Sequence, residues 1–241
     1  PVPAPAPLSR AEGERQAREL IANLLAQKPG QSSSNLAVVK VRGADRRERQ
    51  IPATFAIVLT PTNYLNLYAV GSGVAPAGMK LTIIHTDVRP NEYFLAEPPV
   101  PGAAPAPPRR LTPGQLMQPF AGSDFWIADL GLEFLHWPQQ RVLKREMRRG
   151  QFCAVLESVD PNPVPGGYSR VVSWLGVNHP EELVLVHADA YDLQDRRLKE
   201  FDPKTLEKVQ GSYQLQSMEM RNVQTDSRTV IEFNLAPADS P

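Results

Sequence analysis

The sequence predicts a mainly antiparallel β protein of the α+β class, and three patterns lead to that prediction. From residue 35 onward apolar residues recur with a period of two, as they do in half-buried strands. Short turns containing Gly or Pro separate successive strands, and no long helix interrupts the succession, which favours antiparallel neighbours. About ten or eleven strands result, which is more than a flat twisted sheet easily supports, so we expect the sheet to curve.

The first expected element is a helix that follows a short Pro/Ala-rich segment. Residues 1–8 are too rich in proline to pair or coil regularly and are predicted to be flexible. Ser9 and Glu12 have the spacing of a helix capping box, and Pro29 with Gly30 ends the helix. Between them, one apolar stripe occupies a single helical face: Ala17, Leu20, Ile21, Leu24 and Leu25. Such a helix is not stable alone, so it must pack against the sheet.

The expected strands alternate between an apolar and a mixed face. The last strand shows the alternation most clearly, because Ile231 and Phe233 share one face while Glu232 and Asn234 occupy the other. Eleven segments carry the pattern: residues 35–42, 54–60, 64–70, 79–86, 141–148, 152–159, 169–177, 183–192, 198–202, 213–222 and 228–235.

The middle of the chain departs from the strand pattern. Residues 97–110 are nearly all Pro, Ala and Gly and are predicted to be a long loop. Thr112 before Pro113 is typical of a helix start, which predicts a short helix ending before Pro119. A second short helix is expected to begin near Ser123. We interpret residues 9–236 as one domain that contains the loop, and residues 237–241 as a flexible tail.

Composition excludes several classes of protein. Equal numbers of basic and acidic residues, 26 of each, give no net field toward nucleic acid or anionic membranes. The single cysteine, Cys153, excludes an internal disulfide framework and a CxxC zinc or redox site, and its alternating strand favours a buried structural thiol. No apolar stretch reaches the roughly 20 residues that span a bilayer. The Pro/Ala-rich start fits the product of signal-peptide cleavage, so export is expected.

Motifs for chemistry are weak. His187, Asp189 and Tyr191 share one strand face, which would suit a weak metal or acid/base cluster, but a solvated face explains them as well. Gly71 and Gly73 begin like a phosphate loop, yet Pro76 stands where its last glycine is needed. Two basic clusters suit either lipid phosphate groups or a solvated turn or edge: Arg46, Arg47 and Arg49, and Lys144, Arg145, Arg148 and Arg149. Aromatic residues are not interleaved with them, so nucleic acid is not expected as a partner.

Several segments together resemble the outer-membrane lipoprotein-sorting family, the LolA-like periplasmic carriers of lipoproteins and lipids, and especially a less-characterised bacterial branch. The resemblance lies in GSDFWIADL from Gly122, RVLKREMRRG ending at Gly150, SMEMRNVQTDSRTVIEF from Ser217, and the first helix ending LLAQKP at Pro29. It implies an unclosed antiparallel half-barrel whose helices lie across a concave apolar face that holds acyl chains. The loop at 97–110 is longer than the family pattern.

The resemblance and the residues together predict a non-enzymatic periplasmic carrier or chaperone without cofactor or metal. Its expected partners are lipid or lipoprotein acyl chains, with a cell-envelope protein as an open further partner. The expected apolar lining and lid residues are Leu20, Leu24, Phe125, Trp126, Ile127, Leu130, Trp174, Met218, Met220, Ile231 and Phe233. Methionine suits such a lining because its flexible thioether adapts to varied cargo. Two alternatives stay open: a cell-envelope scaffold whose hollow is filled by its own side chains, and, more weakly, an enzyme built around His187 and Asp189.

Overall fold

The computed structural model describes residues 7–71, 78–86, 89–98, 104, 106–177, 183–209 and 212–234, with the side chains of 205–209 and 212–214 left out. The chain divides into two compact units. The first unit contains residues 1–28, 132–203 and 222–224, and the second contains residues 29–131, 204–221 and 225–241. Residues 1–6, 72–77, 87–88, 99–103, 105, 178–182 and 210–211 lie outside the described residues, as does the tail expected at 237–241.

Among the described residues, thirteen strands form one antiparallel sheet. The strands are β1 (Ser33–Arg42), β2 (Glu48–Leu59), β3 (Tyr64–Val70), β4 (Met79–His85), β5 (Glu92–Ala96), β6 (Arg109–Arg110), β7 (Gln139–Arg148), β8 (Gln151–Val159), β9 (Arg170–Gly176), β10 (Val184–Tyr191), β11 (Arg197–Val209), β12 (Ser212–Asn222) and β13 (Ser227–Asn234). Their order is β6-β5-β4-β3-β2-β1-β13-β12-β11-β10-β9-β8-β7. Since β6 and β7 stand at opposite ends of this order, the sheet is unclosed, and the predicted mainly antiparallel β class with few helices is confirmed.

The structure has two strands more than the eleven segments identified from the sequence. β5 was missed because its five residues follow a turn and precede the proline-rich loop, which leaves too short a window for periodicity. β6 consists of two exposed arginines at the end of that loop, paired with Phe94 and Leu95. Both lie at one end of the strand order, where pairing rather than side-chain pattern defines the strand.

In the first unit, helix α1 (Arg10–Ala26) packs against β7. The Ser9 hydroxyl accepts a hydrogen bond from the main-chain N–H of Glu12, as the capping pattern predicts. Gly13 is buried and lies so close to β7 that an added Cβ would stand 2.5 Å from the Val142 carbonyl oxygen. The predicted apolar stripe faces the protein, with Ala17, Leu20 and Ile21 buried and Leu24 and Leu25 half-buried.

The β10–β11 turn of the first unit is held by one carboxylate. Asp192 accepts hydrogen bonds from the main-chain N–H groups of Gln194 and Arg196 and from the Gln224 side chain. These bonds, that from Arg196 foremost, lower the pKa of Asp192 to about 2, so the carboxylate is charged at neutral pH.

In the second unit, strand register sorts the side chains onto two faces. Cross-strand partners share a face, so the pairs Val39–Ile231, Phe55–Tyr68 and Ile83–Tyr93 define what we call the inner face. The residues one position along each strand define the outer face, which carries the Lys40–Glu232 and Arg110–Glu92 ion pairs.

Residues 111–131, here called the covering segment, lie on this inner face. The segment contains a 3-10 helix (Pro113–Gln115) and one turn of α-helix, α2 (Ile127–Leu130). The first predicted helix is therefore present but shorter. The second begins at Ile127 and not near Ser123, because the Ser123 hydroxyl bonds locally to Phe125 while Asp124 bonds to β13.

A further 3-10 helix (Glu133–His136) belongs to the first unit, where the Gln140 amide donates to the carbonyls of Phe134 and Leu135. None of the helices in the described residues combines the length and apolar character of a membrane span.

Candidate functional site

A row of aromatic rings crosses the inner face of the second unit. Phe233 contacts Phe55 edge-on with ring centroids 5.3 Å apart, and Phe55 contacts Tyr68 at 4.9 Å. Tyr68 in turn meets Phe120 of the covering segment at 6.2 Å. The strands supply this row because Phe233, Phe55 and Tyr68 all point to the inner face. The row gives the inner face a continuous apolar surface from β13 to the covering segment.

An open depression of about 620 Å³ lies on the outer face of the same strands. Its lining includes the outer-face residues Leu36, Val38, Pro52, Glu232 and Asn234, which alternate along the strands with the inner-face Ala37, Ala53 and Phe233. The depression therefore does not belong to the aromatic row. The half-buried Phe233 is the end of that row on the inner face.

The side of the covering segment that faces the sheet is apolar. Phe120, Phe125 and Ile127 are each only 1% exposed. Burial of side chains of this size contributes about 1.5–3 kcal/mol each, so the segment's position depends mainly on apolar contact.

A few polar bonds fix the covering segment to the strands. The Asp124 carboxylate accepts from the hydroxyls of Ser227 (2.5 Å) and Thr229 (2.8 Å), while the main-chain N–H of Asp124 donates to the Thr229 oxygen at 2.8 Å. The Arg49 guanidinium donates to the carbonyls of Ala121 and Gly122. The Arg49 of the predicted basic cluster thus supports the covering segment.

Beside the aromatic row lies a polar cluster built from two i, i+2 pairs, Asn66 with Tyr68 on β3 and Asn91 with Tyr93 at the start of β5. The Tyr68 hydroxyl donates to the Leu130 carbonyl at 3.1 Å, and the Asn91 amide donates to the Gly131 carbonyl at 2.9 Å. Burial raises the pKa of Tyr68, so its hydroxyl stays protonated and able to donate. The cluster ties the end of the covering segment to β3 and β5.

The predicted lining residues divide between the two units. Eight lie in the second unit: Phe125, Trp126, Ile127, Leu130, Met218, Met220, Ile231 and Phe233. The outer-face Arg228 pairs with Glu219, and alternation along β12 then directs Met218 and Met220 to the inner face. The other three, Leu20, Leu24 and Trp174, belong to the first unit. Trp174 lies on the same strand face as Lys144 and Glu146. Helix α1 packs on the opposite face, where Arg145 contacts Gln16.

His187 forms a buried charged cluster in the first unit. Its Nε2 lies 3.0 Å from Asp189 and its Nδ1 lies 2.6 Å from Asp202, with all three side chains largely buried. Burial opposes protonation of His187, but the hydrogen bonds to the two carboxylates outweigh it and raise its pKa. Both ring nitrogens are engaged, so neither faces a substrate. Among the described residues, no group of His, Cys, Asp or Glu has a metal-site arrangement.

The second predicted basic cluster is dispersed onto partners of its own. Lys144 pairs with Glu146, Arg145 contacts Gln16, Arg148 stacks on Trp174, and Arg149 pairs with Asp202. The four cations therefore do not converge on one phosphate site. Cys153 is fully buried, and burial raises the pKa of its thiol, which agrees with the structural role predicted for it.

The sequence interpretation missed the polar cluster and the Asp124 bonds. The i, i+2 spacing of Asn66 and Tyr68, and of Asn91 and Tyr93, was the available signal, because strand periodicity puts such residues on one face. Only the strand register shows that both pairs share the inner face.

Comparison with solved structures gives nine matching chains, and three of them with the same fold are as follows. One is a DUF1329 family protein from Desulfovibrio piger, with a TM-score of 0.70, 18% identity, and coverage of 93% of this chain and 92% of that one. A domain from Vibrio parahaemolyticus assigned to outer membrane lipoprotein sorting has a TM-score of 0.72 and 18% identity, with coverage of 93% of this chain and 91% of that one. A LolA superfamily protein from Nitrosomonas europaea has a TM-score of 0.59 and 15% identity, with coverage of 92% of this chain and 91% of that one. The search of curated proteins finds no significant match.

The chain thus has the LolA-like fold, and the resemblance noted in the sequence is confirmed at the level of the fold. A model of a family described as "-like: Uncharacterized protein" matches residues 104–240, more than half of the chain, and the chain belongs to that family.

Proposed function

We propose that the protein is a carrier or chaperone of the cell envelope that binds an acyl chain of a lipid or lipoprotein against the inner face of its second unit. The observation on which this proposal rests is the aromatic row, which runs along the inner face from the half-buried Phe233 to Phe120 under the covering segment. The likeness of the fold to a domain assigned to lipoprotein sorting supports the same proposal. The lining residues named from the sequence on this face are proposed to contact the chain.

The binding energy comes from burial of methylene groups. At about 0.8 kcal/mol per CH₂, a long acyl chain supplies on the order of 10 kcal/mol before ordering costs. The covering segment occupies part of the inner face with Phe120, Phe125 and Ile127, so it moves aside or slides as the chain enters. No step of this function requires catalysis, a metal or a cofactor. The carrier would act in the periplasm and pass its cargo toward the outer membrane.

The proposal is tested with delipidated protein, a fluorescent fatty acid and native mass spectrometry. Wild-type protein is expected to bind one or a few probe molecules. Phe233→Asp introduces a charge at the end of the aromatic row and is expected to weaken binding at least about tenfold, because an apolar site disfavours an unpaired carboxylate. Met147→Asp makes the same kind of change at a residue 64% exposed on β7 of the first unit and should leave binding unchanged.

A second function, a scaffold with a self-filled core, is favoured by the near-complete burial of Phe120, Phe125 and Ile127. In that case the side chains of the covering segment are the permanent filling of the inner face. Wild-type protein would then bind no alkyl probe, and organic extraction of freshly purified protein would yield no lipid. Either result would rule out the carrier.

A further inference from the structure

Two amide oxygens on the inner face have no hydrogen-bond partner among the described residues. They are Asn66 Oδ1 on β3 and Asn91 Oδ1 next to β5, and both atoms are inaccessible to solvent. Asn91 is only 9% exposed as a whole residue. A buried acceptor without a partner costs about 1–3 kcal/mol, so such atoms are rare outside binding sites.

The surroundings fix which amide atom is unpartnered. The Gly131 carbonyl can only accept, so the Asn91 nitrogen must face it and the Asn91 oxygen points away. The Tyr68 hydroxyl gives its proton to the Leu130 carbonyl, so it receives the Asn66 nitrogen at 3.4 Å, which leaves the Asn66 oxygen on the other side. Both unpartnered atoms are therefore acceptors.

Strand register places the two amides close together. Asn66 pairs with Ile83 on β4, and Ile83 pairs with Tyr93 on β5, two residues beyond Asn91. With strands about 4.8 Å apart and a rise of about 3.4 Å per residue, the backbones of Asn66 and Asn91 stand roughly 12 Å from each other across one intervening strand. Their partners, the carbonyls of Leu130 and Gly131, are consecutive in the chain. One bound group of moderate size can reach both oxygens.

We propose that this amide pair, Asn66 and Asn91, binds the polar end of the acylated ligand through a group that carries several O–H or N–H donors. The inference rests on the proposed function, because the adjoining Tyr68 belongs to the aromatic row along which the acyl chain would lie. A hydroxyl-rich or ammonium group at the head of the chain supplies the donors that the protein does not.

The same chemistry disfavours a free carboxylate or phosphate at this position. Such groups bring only acceptors, which the two amide oxygens repel. The four side chains of the cluster include no lysine or arginine to offset a negative charge. The preferred ligand is thus an acyl chain joined to a polyol or an amine, and a free fatty acid is expected to bind through its chain alone.

The test compares three probes with the same chain of sixteen carbons: 1-monopalmitoylglycerol, hexadecylamine and methyl palmitate, which has no donor. Their affinities are measured for wild type, Asn66→Leu, Asn91→Leu and the control Asn23→Leu, which changes an exposed asparagine on α1 of the first unit. Leucine keeps the approximate size of asparagine and removes its hydrogen bonds. Thermal unfolding verifies that each variant is folded.

Wild type is expected to bind the glycerol ester or the amine about tenfold more tightly than the methyl ester, the combined effect of two hydrogen bonds to neutral groups. Asn66→Leu should lose most of that preference while its affinity for methyl palmitate stays within about twofold, and Asn23→Leu should keep it. The glycerol and amine probes distinguish a hydroxyl from an ammonium group.

Equal binding of all three probes to wild type would overturn the amide-pair proposal and leave the carrier intact. A preference that survives in Asn66→Leu would overturn it too. Failure of every probe to bind would instead contradict the proposed function itself. If Asn91→Leu unfolds because it also loses the Gly131 bond, Asn66→Leu still decides the question.

Discussion

Thr229 joins the covering segment to β13 through two hydrogen bonds to Asp124, and Thr229→Val removes both while keeping the shape of the side chain. The Thr229 hydroxyl donates to the carboxylate and accepts from the main-chain N–H of the same residue, at 2.8 Å in each case. Thr229 is fully buried and Asp124 is 9% exposed, so water does not readily replace the lost partner.

The expected loss is about 2 kcal/mol, because hydrogen bonds to charged groups contribute about 1.5–3 kcal/mol. The Ser227 hydroxyl still donates to the carboxylate, which keeps the loss near the lower part of that range. If this free energy is lost from the attachment of the covering segment, the population of molecules in which the segment is detached from β13 rises by roughly thirtyfold. A ligand that needs the open state then binds more readily, because less of its binding energy is used for opening.

Hydrogen exchange followed by mass spectrometry measures this opening. Amides in peptides from residues 120–131 should exchange roughly thirtyfold faster in Thr229→Val, while peptides from β8 and β9 should not change. Thr82→Val is the matched control, because it makes the same change on β4, on the outer face. Unchanged exchange of the covering segment in Thr229→Val would refute the reasoning, as would an equal increase in every peptide.

Two further predictions concern the first unit. Gly13→Ala should lower the free energy of unfolding by about 1–3 kcal/mol despite alanine's better helix propensity, because the added Cβ meets the Val142 carbonyl; urea denaturation measures this, and a stabilised variant would contradict the packing. Protonated His187 stabilises the fold through its hydrogen bonds to Asp189 and Asp202, and Arg149 lies beside Asp202. Because the pKa of His187 is raised in the folded protein, this stabilisation is full below about pH 6.5 and is lost as the pH rises through that raised pKa. The difference in the free energy of unfolding between wild type and His187→Gln should therefore be largest near pH 6 and shrink toward pH 9. A difference that grows with pH would show that the pKa of His187 is lowered and not raised.

Periodicity predicted most of the fold because each strand long enough to alternate shows its alternation in the residues themselves. The Ser9 cap and the stripe through Ile21 likewise follow from local chemistry, and the structure has them where the pattern puts them. β5 and β6 escaped prediction since they are defined by pairing with a neighbour. The late start of α2 at Ile127 has a related cause, because Asp124 bonds to a residue 105 positions away.

The candidate site was only partly predictable. Apolar character singled out Phe125, Ile231 and Phe233, and the structure places all three in one unit. Trp174 was named for the same reason, but its partner is the Glu146 carboxylate in the other unit. The amide pair was not identifiable, because the lack of a hydrogen-bond partner is a property of three-dimensional surroundings.

Reversible closure of the covering segment tests most directly the claim that an acyl chain binds beneath it. Asp124→Cys with Thr229→Cys places two thiols where the side chains already touch, and the buried Cys153 is the only other cysteine in the chain. The account predicts that the oxidised double variant, with its disulfide verified by mass, binds fluorescent fatty acid or 1-monopalmitoylglycerol far more weakly than the same protein after reduction. Equal binding before and after reduction would contradict it, because the ligand would then enter without any movement of the covering segment.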